Sequence, residues 1–211
     1  FATAREFFEK YHAAFPENRI ARMYLGEGIP WEKTWPAVES APRWAVDQRA
    51  GLEAIADIVE WWIDNRQQAN GAFGGGWGDD CEMWRWWVPV MIAFEDRKIT
   101  DAQAKFSEAV MGQDYMKGGY MTTMTDVEHS AEDSTDTILP MMHLLPDDEV
   151  WRGRAMRLAE LMRDLWTGTN QRGFLQFRST YFTADKVHED PQKACDTPYH
   201  VRAIQPALLL W

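Results

Sequence analysis

Two stretches of this sequence crowd acids, glycines and aromatics at spacings that proton-transfer chemistry uses. The first is 74–82, Gly-Gly-Gly-Trp-Gly-Asp-Asp-Cys-Glu. Its glycines permit unusual dihedrals and close backbone approach, and Asp79, Asp80 and Glu82 follow at the mouth of an apolar segment. One Asp there would suffice to cap a helix; two adjacent acids plus Glu82, among tryptophans, exceed that need. No Lys-Ser/Thr follows the glycines, so the phosphate-cradling pattern is not met. The second stretch, 126–136, holds Asp126, Glu128, His129, Glu132, Asp133 and Asp136. Glu132, Asp133 and Asp136 share a helical face at three- and four-residue spacing, as do His129 and Asp133. Like charges this close repel, so one pKa rises or a cation compensates. A merely solvated acidic face fits poorly, because Ile138, Leu139, Pro140, Met141 and Met142 follow at once and drive the helix inward.

Cleavage of a glycosidic bond needs such a set: one carboxyl held protonated to donate to the leaving oxygen, another ionised as base or nucleophile. Apolar surroundings raise the pKa of the acid. Asp79, Asp80, Glu82, Asp126, Glu128, His129 and Asp133 are therefore the catalytic candidates. Trp77, Trp84 and Tyr120 offer flat faces for sugar rings, with Arg85 and Asp136 alongside. Trp77, set among glycines, is the better platform, and Trp86 and Trp87 read as core packing. A third stretch, 172–181, supports a different chemistry. Arg178 could pair with a substrate carboxylate while Tyr181 and His129 abstract and deliver protons in a β-elimination; alternatively Arg178 merely neutralises the acids. No standard ligand spacing indicates a metal, and no cofactor is expected.

The elements that must position these residues read as helices nearly throughout. Leu52, Ile55, Ala56, Val59, Trp62 and Ile63 recur at helical spacing after Ser40-Ala-Pro42, and Ala102, Phe106, Ala109 and Val110 do so after Thr100-Asp101. A third amphipathic stripe runs from Trp151 to Leu165, opened by Asp147, Asp148 and Glu149 in keeping with the helix dipole. The pattern predicts outer helices over 43–67, 101–111 and 149–166. Between them lie segments apolar on nearly every side, which marks buried helices, over 80–95, over 131–145 and at the end of the chain. Residues 174–182 are the one strand candidate. Each buried helix has a long loop before it and, where the chain continues, a short turn after it. The long loops, and the acids they carry, then share one face.

A weak internal repeat supports that arrangement. WVPVMIA, ILPMMHL and IQPALLL each place a proline, Pro89, Pro140 or Pro206, within an apolar run, and a proline inside a helix kinks it at a cost of roughly 3 kcal/mol. Registered on those prolines, Glu82, Asp133 and Tyr199 form one column, and Arg85, Asp136 and Arg202 another. Helical hairpins that cannot bury themselves alone imply a solenoid or a closed ring.

On the alternating hairpins, the loop GGGWGDDCEMWRWW and the cluster DVEHSAEDSTD, the chain resembles part of an α/α toroid, the six-hairpin barrel of many glycoside hydrolases and polysaccharide lyases. The resemblance implies an all-α fold of about three hairpins forming a single, incomplete catalytic domain over 1–211. It implies an oligo- or polysaccharide substrate bound where the inner helices begin, and a periplasmic or extracellular setting. Both ends of the sequence look cut. The alternatives are a polysaccharide lyase acting on uronic-acid glycans, a non-catalytic helical-repeat binding scaffold, and a terpene-cyclase-like toroid. The last is suggested by Glu132-Asp133-Ser-Thr-Asp136 but lacks a basic set for a diphosphate.

Composition narrows the partners. The 211 residues carry 33 acids against 22 basic residues, a net charge of -11, whose field disfavours nucleic acid and anionic membranes. No apolar run approaches the ~20 residues of a membrane span. Two cysteines, Cys81 and Cys195, are too few for a disulfide framework or a thiolate metal site. Twelve tryptophans are too many to be core filler alone.

Overall fold

A computed structural model of the chain describes residues 1–28, 36, 38–94, 96–190 and 196–211; Cys195 lies outside the described residues. The fold is mostly helical and divides into two compact units, Phe1–Ala54 and Ile55–Trp211. Within the first, α1 (Ala2–Ala14) meets α2 (Arg19–Tyr24). Asn18 caps α2 by accepting the Ala21 N–H, and Phe8 stacks on Tyr24 with centroids 4.5 Å apart.

α3 (Arg43–Arg66) leads into the second unit. There α4 (Trp77–Arg85), α5 (Val88–Ala93), α6 (Arg97–Met111), α7 (Val127–Leu144), α8 (Glu149–Leu161) and α9 (Thr197–Leu208) follow in order. α7 packs against α4 and α5, α6, α8 and α9. One core gathers Val59 of α3, Trp84 of α4 and Phe106 and Val110 of α6. The other gathers Ile138 and Met141 of α7, Trp151 and Leu158 of α8, Trp166 and Phe182. Among the described residues no helix is long and apolar enough to cross a membrane.

Several boundaries differ from those the pattern predicts. The buried helix expected over 80–95 is broken after Arg85, and Pro89 sits in the first turn of α5 rather than inside a helix. Proline is tolerated there because its missing N–H would have no partner in any case. Pro140 and Pro206 do lie inside α7 and α9. α6 starts at Arg97, not 101, because Asp96 accepts the Ile99 N–H and caps it. α8 ends in a π-helical turn, Met162–Trp166. Two short antiparallel pairings join the helices: β1 (Met116–Lys117) with β2 (Tyr120–Met121), and β3 (Thr167–Thr169) with β4 (Leu175–Phe177). Only β4 falls in the segment expected as strand.

The glycine-rich loop before α4 is docked rather than free. Gln67 donates to the Ala102 carbonyl at 2.9 Å and Lys105 to the Gln68 carbonyl at 2.9 Å. Gly71 has φ +95°, and a Cβ there would stand 2.9 Å from the Lys105 carbonyl oxygen, so glycine is required on both counts.

Candidate functional site

α7 supplies most of the acids. Its first turn is closed by Asp126, whose carboxylate accepts the His129 N–H at 3.1 Å and meets the His129 Nδ1 at 2.6 Å. That contact raises the His129 pKa. From Ser130 to Ile138 every residue of α7 is buried. So polar a sequence tolerates burial because its hydroxyls bond back to the helix: Ser134 to the Ser130 carbonyl at 2.8 Å, Thr135 to Ala131 at 2.8 Å, Thr137 to Asp133 at 2.7 Å. This leaves Glu132, Asp133 and Asp136 facing α4 and α9 as carboxyls in a desolvated place.

Each is compensated to a different degree. Asp136 accepts from Arg202 of α9 through both carboxylate oxygens, the Nε contact being 3.1 Å and the second, from Nη2, closer. Arg85 of α4 approaches the same carboxylate at 3.8 Å and also holds Glu82 at 2.9 Å. Burial pushes the Asp136 carboxyl up, opposed by Arg202. Asp133 accepts the Tyr115 hydroxyl at 2.6 Å; burial raises its pKa and the tyrosine counteracts. Glu132 is the least compensated. Only 6% exposed, it meets Arg202 Nη1 at a long 3.5 Å, and burial, with Glu82 and Asp136 adding repulsion, raises its pKa to about 7. Gly78 faces the pair: a Cβ there would lie 3.3 Å from Glu132 Oε2 and 3.5 Å from Asp133 Oδ1. Cys81 is buried under the same acids, and desolvation with their charge drives its thiol pKa up.

Against this geometry the sequence-derived candidates separate. Glu82, Arg85, Asp133 and Asp136 belong to one cluster, with Asp79 exposed on the first turn of α4 beside Gly78. Asp126, Glu128 and His129 form a neighbouring group whose ligand atoms lie within 4.8 Å of one another. Asp126 is occupied there with capping and Glu128 with the Tyr199 hydroxyl. Asp80 has a structural task instead: its buried carboxylate accepts the N–H groups of Phe73, Gly74 and Gly75 at 2.7, 3.2 and 2.9 Å. That leaves no reach toward a substrate.

The aromatic assignments need correcting. Trp84 and Tyr120 are 0% exposed. Trp84 packs against Phe73 and Trp87, and Tyr120 against Trp166 while bonding Ser130 at 2.8 Å, so neither offers a face to a sugar. Conversely Trp86, expected in the core, is 66% exposed, because the break after Arg85 turns it outward. Trp87 is buried as expected, and Trp77 is half-buried against Phe106. Arg178 pairs with Glu189 and the Leu165 carbonyl, not with the acid cluster. Tyr181 is brought beside Asp126 by an isolated antiparallel bridge. Three members lie outside the expected site residues: Glu132, read only as part of the acidic face, Arg202, read only as part of the proline-registered column, and Tyr115. The column Arg85, Asp136, Arg202 already grouped the three residues that meet at the Asp136 carboxylate. Nothing local in sequence ties Tyr115 to Asp133.

Beside Asp136 a cleft of about 410 Å³ opens between α4–α5, α7 and α9. Comparison of the chain with protein-family models, curated proteins and solved structures returns no match.

Proposed function

We propose that the chain is a carbohydrate-active enzyme that hydrolyses glycosidic bonds, with Glu132 as the general acid. The observation that carries this reading is the Glu132 carboxyl, nearly buried, incompletely paired and raised to about 7. A proton donor tuned near the working pH, next to other carboxylates, is what departure of a sugar oxygen requires. Glycine at 78 lets the first turn of α4 approach the Glu132 and Asp133 carboxyls closely, since a Cβ there would press on both. Asp79, exposed on the adjoining turn, is the partner carboxylate that directs water or attacks the sugar carbon. Asp133 is committed to Tyr115 and holds the cluster's geometry. Support for an α/α-toroid arrangement comes from the alternation of helices: α4–α5, α7 and α9 pack side by side with α7 central, and α6 and α8 lie against them.

The lyase alternative retains one supporting observation, the bridge that pairs the backbone of Tyr181 with that of Asp126, the residue whose carboxylate meets His129. Its third group, Arg178, is engaged by Glu189.

A panel of neutral and acidic oligosaccharides, assayed for reducing ends, tests the proposal. Glu132→Gln should lower kcat roughly 10²–10⁴-fold, and the alkaline limb of the kcat profile should lie near pH 7. Undiminished turnover by Glu132→Gln would reject the assignment. Appearance of the ultraviolet absorbance of an unsaturated uronide would select elimination over hydrolysis.

A further inference from the structure

The cleft beside Asp136 combines three features that together describe a ligand. One side is apolar, formed by Val88, Leu139, Pro140 and Pro198. Two aromatic rings border it: Trp86, 66% exposed and carrying the Arg85 guanidinium 4.8 Å from its centroid, and Tyr199, whose hydroxyl is held by Glu128. The floor is the Asp136 carboxylate clamped between Arg202 and Arg85. At about 410 Å³ the cleft falls within the roughly 300–1,000 Å³ of small-molecule sites.

Charge decides what kind of molecule fits. Both guanidiniums on the cleft are already matched without Glu132, Arg85 by Glu82 and Arg202 by Asp136, whose carboxylate Arg85 also approaches. An incoming carboxylate would meet no spare cation and would face Glu82 and Asp136. A hydroxyl, by contrast, can donate to an Asp136 oxygen that is already fixed in place, with little ordering cost. Trp86 presents a flat apolar surface, stiffened by its arginine, suited to the C–H face of a sugar ring.

We propose that this cleft is a binding subsite for a neutral pyranose ring, stacked on Trp86 with its hydroxyls directed to Asp136, and that it discriminates against uronates. The inference rests on the hydrolase reading for its place in a reaction, but the binding it describes can be measured without turnover.

Calorimetric titration of Glu132→Gln protein with neutral gluco-, manno- and galacto-configured tetrasaccharides, and with tetragalacturonate, tests it. At least one neutral ligand should bind and tetragalacturonate should bind more weakly than that ligand. Adding Trp86→Ala should weaken binding roughly tenfold or more, and Trp86→Phe should restore most of it. Trp86 is exposed, so thermal melts of the variants should match the parent. Neutral binding unchanged by Trp86→Ala, no neutral binding at all, or preference for tetragalacturonate would each overturn the subsite. The two proposals fail separately. Cleavage of a neutral glycan with KM indifferent to Trp86→Ala removes the subsite and leaves the hydrolase reading. Binding through Trp86 with no cleavage of any glycan removes the hydrolase reading and leaves the subsite.

Discussion

Glu132 and Asp136 sit one helical turn apart on α7 and share the same arginine, yet their situations differ. Arg202 takes Asp136 in a two-pronged grip and reaches Glu132 only with a single nitrogen at 3.5 Å. The grip compensates the charge of Asp136, while Glu132 is left to be stabilised by its proton. This has a consequence for stability with a definite sign. The Glu132 pKa is about 7 in the fold against 4.5 for a free glutamate carboxyl. Between those values the native state keeps a proton the unfolded chain has lost, so stability falls as pH rises through the window and the loss is complete above about 7. Glu132→Gln cannot ionise and escapes that loss. Relative to wild type, the variant should gain on the order of 1–3 kcal/mol between pH 4.5 and pH 8. Urea unfolding of both proteins at the two pH values measures this; a difference that stays constant with pH would mean that Glu132 titrates as an ordinary carboxylate.

At the scale of elements, the loop before α4 is organised by a single carboxylate. Asp80 gathers the N–H groups of Phe73, Gly74 and Gly75, so three consecutive donors depend on one buried acceptor. Asp80→Ala should therefore cost roughly 1–3 kcal/mol, chiefly the penalty of orphaning the buried Phe73 N–H, and Asp80→Asn, which keeps one acceptor oxygen, should cost less. The urea midpoints of the two variants check the order, and a wild-type midpoint for Asp80→Ala would contradict the role. The acids of α4 were visible in the sequence as a cluster, but their division of labour was not, because capping a loop and facing a substrate use the same residue type. The same limit explains the tryptophans. Trp84 and Trp86 differ by two positions, and only the break after Arg85 decides which one is buried. Pro89 was read as a kink within a helix, whereas it opens a new one. The buried stretch of α7 agrees with the expected 131–145, and its hydroxyl-rich half is tolerated there because Ser134, Thr135 and Thr137 bond to the helix carbonyls. β1 and β2, two residues each, are too short to leave any alternation to read.

Across the second unit as a whole, Arg202 is the tie between α9 and α7, and Arg85 brings α4 to the same carboxylate. The sequence registered on its prolines had already set Arg85, Asp136 and Arg202 in one column. The structure turns that column into a contact, because equivalent positions on neighbouring buried helices point toward a common centre. The helical class and this convergence were thus legible from period and repeat alone, while Tyr115, which comes from a loop, was not. A buried ion cluster need not be stabilising in itself, since desolvation opposes the attraction, but removing one partner strands the other. Arg202 is only 7% exposed at its side chain, so Arg202→Met should destabilise by about 3–5 kcal/mol by leaving Asp136 and Glu132 uncompensated. Combining it with Asp136→Leu should recover much of that loss, because the apolar pair no longer buries an unmatched charge. A double-mutant cycle read by urea unfolding gives the coupling directly. Strong coupling, with the double variant more stable than Arg202→Met alone, is expected if the ion cluster organises the packing of α9 on α7. Additive losses would mean that α9 is held by its apolar contacts with α7 and α8, and that the charged centre is dispensable to the fold.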